Sequence, residues 1–235
     1  GKVKALLYGQ AAFFVMAYFP YTKHFIFRAN WKHIAFSLSF GLPVVIHLLS
    51  GVLHSFIDRA ILADMVPVSE LGLYTLGYQV AMVLAIVTAS VNNAWQPSYY
   101  DLMESSSSDK DFHIRRTYNL WLIVMSFICT FGILWGGDIV RLITPADFHG
   151  AARVIPYLLL GNFFHGLYYF AVSPILFFNK TKVLPLLTGT AAAVNIVLNF
   201  VFIPYWGITG AALATAASTL FQAGIVYKVG RRLYF

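Results

Sequence analysis

Apolar residues run along this chain in blocks close to the length that crosses a lipid bilayer, separated by short polar breaks. The blocks cover Val3 to Pro20, Ile34 to Ile57, Leu71 to Tyr99, Tyr118 to Ile143, Val154 to Phe178, Val183 to Ile203 and Ile208 to Val229. A helix rises about 1.5 Å per residue, so roughly 20 residues traverse the hydrocarbon layer. No block alternates apolar and polar positions as a barrel strand does, and a backbone in lipid satisfies its polar groups only in helices or closed barrels. The pattern predicts an all-α, polytopic membrane helical bundle of about seven spans.

The breaks between blocks are short. Asp58 to Glu70 and Thr144 to Gly150 lie on one side, and the serine-rich Asp101 to Asp111 reads as a solvated linker on the other. Pro204-Tyr-Trp-Gly207 is the tightest break and predicts an antiparallel hairpin, because proline ends one helix and glycine relaxes the backbone before the next. No segment outside the blocks is long enough to bury an aqueous core of its own. Residues 1–235 therefore read as a single transmembrane domain. Gly1 stands where a start methionine would, directly before an apolar run, and this points to a fragment lacking an amino-terminal bundle.

Composition agrees, with 59% hydrophobic and 11% charged residues and a mean hydropathy of +0.72. The net charge of +7 changes the picture only through its distribution. If the blocks alternate in direction, Lys23, Arg28, Lys32, Lys110, Arg115, Arg116, Lys180, Lys182, Lys228, Arg231 and Arg232 share one side. Only Lys2, Lys4, Arg59, Arg141 and Arg153 fall on the other. The positive-inside rule then makes the first side cytoplasmic, with the carboxy terminus inside and Asp64 and Asp147 outside. Nucleic acid is not an expected partner, since the charge forms no single basic stripe. The lone Cys129 supports neither a disulfide nor a thiolate metal site.

Polar residues inside the blocks are the candidate chemistry. His47, His54 and Asp58 follow a helical spacing that puts them on one face, with Arg59 beside their outer end. Ionisable groups in hydrocarbon are costly unless paired or facing a cavity, so this stripe is the first candidate for a substrate pathway. Asn92 and Gln96, with Thr88, Asn93 and Trp95 near them, form a second polar stripe. Amides and an aromatic ring suit sugar hydroxyls and sugar faces, and they equally serve helix packing. Asn195 and Asn199 are four residues apart, and Gly207 and Gly210 lie in a run of small residues; these four read as packing or cavity positions. There is no HExxH, nucleophile elbow or phosphate-binding glycine loop, so no enzyme, no metal and no cofactor are expected.

Several stretches, in this order, resemble bacterial polysaccharide or O-antigen flippases of the multidrug/oligosaccharidyl-lipid/polysaccharide exporter superfamily. They are Phe40-Gly-Leu-Pro43, Ile57-Asp58-Arg59-Ala60-Ile61-Leu62, Leu71-Gly-Leu-Tyr74, Asn92-Asn-Ala-Trp-Gln-Pro97, Asn179-Lys-Thr-Lys182, Asn195-Ile-Val-Leu-Asn199 and Ile203-Pro-Tyr-Trp-Gly-Ile-Thr-Gly-Ala-Ala212. The resemblance is to the carboxy-terminal portion and implies a second half working against an amino-terminal half absent from this chain. It implies flipping of undecaprenyl-pyrophosphate-linked oligosaccharide by alternating access, in lipopolysaccharide or capsule biosynthesis, with membrane lipids and polysaccharide assembly machinery as further partners. Arg59 is then the residue expected to attract the pyrophosphate, and His47 the titratable candidate for ion coupling. Two alternatives stand beside this reading. One is a multidrug or other amphiphile exporter of the same superfamily, and the other is an integral-membrane glycan or lipid transferase.

Overall fold

The computed structural model describes residues 2–19, 30–105 and 108–234; within its helices the side chains of residues 2, 3, 40, 47, 50–55 and 234 lie outside the description. Every regular element among the described residues is helical. In chain order these are α1 (Lys2–Tyr18), α2 (Trp31–Met65), α3 (Val68–Glu104), α4 (Lys110–Ile143), a 3-10 segment (Ala146–Arg153), α5 (Ile155–Phe177), a short 3-10 turn (Thr181–Val183) and α6 (Leu184–Tyr234). The described chain divides into two compact units, Gly1–Ser39 and Phe40–Phe235. The first holds α1, whose described side chains all lie exposed.

Among the described residues four helical stretches are long and apolar enough to cross a membrane: Val68–Glu104, Lys110–Ile143, Ile155–Phe177 and Thr181–Leu233. The expectation of about seven spans is corrected to these four. Part of the difference is α6, which joins two expected spans into one assigned helix of 51 residues. The expected first span corresponds to α1, at 17 residues. The second falls in α2, part of whose side chains are not described.

The expected break from Asp58 to Glu70 shrinks as well. Helix α2 runs through Asp58, Arg59 and Asp64 to Met65, and only Val66 and Pro67 separate it from α3. Polar side chains do not stop a helix, whereas the residue before proline is pushed out of the helical region.

The 51 residues of α6 nevertheless form a hairpin. Asn195 Nδ2 donates to Ser218 Oγ at 3.3 Å, although a straight helix would hold these residues roughly 34 Å apart. The reversal occurs at Gly207, with φ 52° and ψ −133°, a conformation that only glycine adopts without strain. Three residues later a Cβ on Gly210 would stand 2.4 Å from the Phe202 carbonyl oxygen, so the arms meet with no room for a side chain there. The expected Pro204–Gly207 hairpin is therefore present, with the two arms of α6 on either side of Gly207.

Helix α5 is the centre of the second unit and packs against α3, α4 and α6. The core contains Leu84, Trp121, Met125, Ile155, Leu158, Ile203 and Ile208, with Ala211 and Ala212 bringing the second arm of α6 close. Large apolar side chains such as Val83, Ile123, Phe127 and Val197 point outward and are exposed, as a bundle immersed in lipid requires. Polar contacts supplement the packing. Asn162 Nδ2 on α5 donates to the Ala81 carbonyl on α3 at 3.1 Å, a bond that ties two spans together.

Candidate functional site

Among the described residues the most deeply buried Asp, Glu, Lys, Arg or His side chain is Asp58, at 1% exposure. It is also where four helical segments meet. Asn199 Nδ2, from the first arm of α6, donates to Asp58 Oδ1 at 2.8 Å. Tyr74 Oη, from α3, donates to Asp58 Oδ2 at 3.1 Å, and the Thr215 hydroxyl, from the second arm, donates to the same oxygen. Beyond this inner set, Asn199 reaches back to Asn195 Oδ1 at 3.1 Å, and Asn195 donates to Ser218. A polar string thus runs through an apolar core.

The depth of this string follows from helix geometry. Asp58 lies seven residues from the end of α2 and Tyr74 six from the start of α3, while Asn199 and Thr215 each lie eight from Gly207. At 1.5 Å per residue all four sit about 9–12 Å in from the same end of the bundle. A carboxyl at that depth is tolerated only when its lone pairs are met, because an unsatisfied charge in hydrocarbon costs several kcal/mol. Among the described residues no Lys, Arg or His forms an ion pair with it.

The hydrogen-bond pattern accommodates both forms of this carboxyl. When it is ionised, Tyr74, Asn199 and Thr215 all donate to it. When Oδ2 carries a proton, that O–H can donate to Thr215 Oγ1, whose single hydrogen then goes to the Ala211 carbonyl oxygen 3.0 Å away. Asn199 Oδ1 is buried and has no donor among the described residues. The site therefore combines a carboxylate with a free amide oxygen, the ligand chemistry of a proton or a small hard cation. Among the described residues no cluster of three or more His, Cys, Asp or Glu could hold a metal ion.

Arg59 does not pair with Asp58. Its guanidinium carbon stands 4.3 Å from the centre of the Tyr78 ring and 5.9 Å from that of Phe56, a cation–π arrangement. Its Nε is buried without an acceptor among the described residues. The positions of His47 and His54 fall in α2, but their side chains lie outside the described residues.

Asn92 and Gln96 are not brought to Asp58. They lie 18 and 22 residues beyond Tyr74 on α3, roughly 27 Å or more along the helix. Gln96 Nε2 donates to Tyr100 Oη at 3.3 Å within α3, and both amides are half-buried. Asn195 and Asn199, grouped from the sequence with the packing positions, are fully buried in the Asp58 network. Tyr74, Thr215 and Ser218 were not singled out from the sequence. A hydroxyl in an apolar span is a weak signal alone, since it usually bonds its own helix, as Thr215 does with Ala211.

Residues 2–103 match the family model described as Polysaccharide biosynthesis protein. The chain is 25% identical over 229 residues to "Lsg locus putative protein 1" of Haemophilus influenzae, covering 89% of this chain and 55% of that one. It is 23% identical over 206 residues to "Putative O-antigen transporter" of Shigella flexneri, covering 85% of this chain and 47% of that one. The chain thus spans about half the length of the curated relatives it matches. Among solved structures, a MATE protein in its straight conformation superposes with a TM-score of 0.74 at 12% identity, over 97% of this chain and 55% of that one. A MOP superfamily transporter from Pyrococcus furiosus superposes at 0.60 and 18% identity, over 80% and 43%. The chain shares its fold with these MATE and MOP-superfamily structures, and it is a multi-pass protein of a bacterial inner membrane.

Proposed function

We propose that this chain, with its MOP-superfamily fold, forms part of a flippase that moves undecaprenyl-pyrophosphate-linked oligosaccharide from the inner to the outer leaflet for polysaccharide biosynthesis. The observation that carries the reading is Asp58, an ionisable group buried where α2, α3 and both arms of α6 meet. Neutralising such a group by a proton or small cation weakens its charge-assisted bonds to those segments, and alternating access needs a switch of that kind. The cargo class is supported by the matched polysaccharide family model and by the relative named for O-antigen transport. No bond in the cargo is made or broken. The sugar-pyrophosphate head passes along a polar path while the polyprenyl tail stays in lipid, and replacement hydrogen bonds lower the cost of its transit.

In this reading Arg59 is the cation for the pyrophosphate. Its Nε, without an acceptor among the described residues, and its position on the Tyr78 ring leave the guanidinium with donors to offer. His47, His54, Asn92 and Gln96 are further pathway positions in the same reading, and the second bundle comes from the amino-terminal part of the full-length transporter. A second reading, export of amphipathic drugs, draws on the likeness in fold to a solved structure described as a multidrug resistance MATE family transporter.

The test uses full-length protein in vesicles with a fluorescent polyprenyl-diphosphate glycan and, separately, a cationic dye. Glycan transfer that rises with an imposed proton or sodium gradient, and falls at least about tenfold with Arg59→Gln in a folded sample, supports the proposal. Transport of the dye with no glycan transfer favours drug export, and glycan transfer unchanged in Arg59→Gln removes Arg59 from the mechanism.

A further inference from the structure

The far end of the bundle carries a cavity unrelated to the Asp58 network. It encloses about 600 Å³ between the last turns of α3, α5 and α6 and the first turns of α4. Its floor is apolar and aromatic, with Trp95 and Phe170 stacked at 5.7 Å between ring centres. Two guanidinium groups line it from different helices, Arg115 on α4 and Arg231 on α6. Both are exposed, and neither has an ion-pair partner among the described residues. They outweigh the single carboxylate of Asp111 on the same wall.

A further lining residue points to a ligand. Trp95 is 93% buried, and its indole N–H has no acceptor among the described residues. Buried indole N–H groups normally find one. Tyr227, beside Arg231, is 56% exposed and carries the apolar wall outward towards the lipid. An apolar slot with a cationic rim at the end of a bundle matches a molecule with hydrocarbon at one end and an anion at the other. The charge bias along the chain assigns this end to the cytoplasmic leaflet, where anionic lipids concentrate in contact with basic helix ends.

We infer that this cavity binds an anionic phospholipid, with the headgroup phosphate held by Arg115 and Arg231 and the upper acyl chain lying on Phe170 and Tyr227. Guanidinium groups bind phosphate oxygens through paired, charge-assisted bonds that a zwitterionic lipid weakens by presenting its own cation. The inference requires only the membrane setting, and it is independent of which cargo is carried.

The full-length protein in detergent is exposed to equal amounts of phosphatidylglycerol and phosphatidylcholine, and the retained lipid is counted by native mass spectrometry. The expected preference for phosphatidylglycerol is about tenfold, falling to within about twofold in R115Q/R231Q and recovering in R115K/R231K. Should the double glutamine variant fail to fold, the unaltered protein provides a second measurement. Phosphatidylglycerol vesicles, but not phosphatidylcholine vesicles, should shield Arg115 and Arg231 from an arginine-modifying dicarbonyl, read by peptide mass. Equal retention of the two lipids, or equal modification in both vesicles, overturns the inference. So does equivalent shielding by inorganic phosphate at matched concentration, which would assign the cavity to a soluble anion. Displacement of phosphatidylglycerol by a polyprenyl diphosphate at equimolar amounts would assign it to the cargo and overturn the lipid assignment.

Discussion

Asn199 donates a 2.8 Å hydrogen bond to Asp58 across 141 positions of sequence, and this bond closes the α6 hairpin onto α2. The same amide nitrogen lies 3.0 Å from the Asn195 carbonyl oxygen, so one side chain braces its own helix and the buried acid together. Replacing it with alanine leaves one oxygen of Asp58 without its donor. Asn199→Ala should lower stability by about 1–3 kcal/mol, read as a drop in melting temperature of the detergent-solubilised protein. An unchanged melting temperature would show that water or another group takes the amide's place.

Substitution at Asp58 separates fold from function. Asn is nearly the shape of the protonated acid, keeps one oxygen for Asn199 and offers an N–H to the Thr215 oxygen, but its amide nitrogen has no lone pair for the Tyr74 hydroxyl that Asp58 Oδ2 accepts. Asp58→Asn should therefore insert and lose only about 1–3 kcal/mol of stability for that one bond, while losing at least about tenfold in gradient-driven transfer. Asp58→Leu strands the Tyr74, Asn199 and Thr215 donors and should lose stability as well. A freely transporting Asp58→Asn protein would rule out the carboxyl as the switch.

The hairpin yields a sharper structural prediction. Gly207→Ala places a Cβ at positive φ, and Gly210→Val drives a side chain into the Phe202 carbonyl. Each should cost about 1–3 kcal/mol or more. Gly224→Ala, further along the same helix with no atom within 4 Å of the added Cβ, should be neutral or slightly stabilising. Proteolytic half-lives of the three variants in membranes provide the comparison.

Not every visible ion pair contributes strongly. Arg153, in the 3-10 segment, pairs with Glu70 at the start of α3, with both side chains substantially open to solvent at 49% and 33%. Glu70→Gln and Arg153→Gln, combined in a double-mutant cycle, should show a coupling below about 1 kcal/mol that shrinks further in high salt.

Orientation is open to direct measurement. Cysteines placed at Lys110 and Lys180 should resist a membrane-impermeant maleimide in intact cells, while those at Asp64 and Asp147 should react. The buried Cys129 should give little background. The reverse pattern would invert the assignment made from the charge bias.

The residues themselves set out the membrane class, the helical nature of the spans and the hairpin at Gly207, because each depends on local properties: run length, hydropathy, and the backbone habits of proline and glycine. Helix limits were less legible. Asp58, Arg59 and Asp64 resembled the edge of a loop, yet backbone hydrogen bonding continues beneath polar side chains until Pro67. Adjacent residues on a helix point about 100° apart, so Asp58 and Arg59 part company, one towards Asn199 and Thr215 and the other onto the Tyr78 ring. Which groups meet Asp58 was decided only by tertiary packing, since Thr215 lies 157 positions away and its hydroxyl looks like any other in an apolar span. The same holds for Arg115 and Arg231, whose convergence on one cavity required α4 and α6 to bring the middle of the chain and its carboxy-terminal end together. A hydropathy pattern records how strongly each segment prefers lipid, but the pairing of polar groups depends on which helices lie side by side and how each is rotated about its axis.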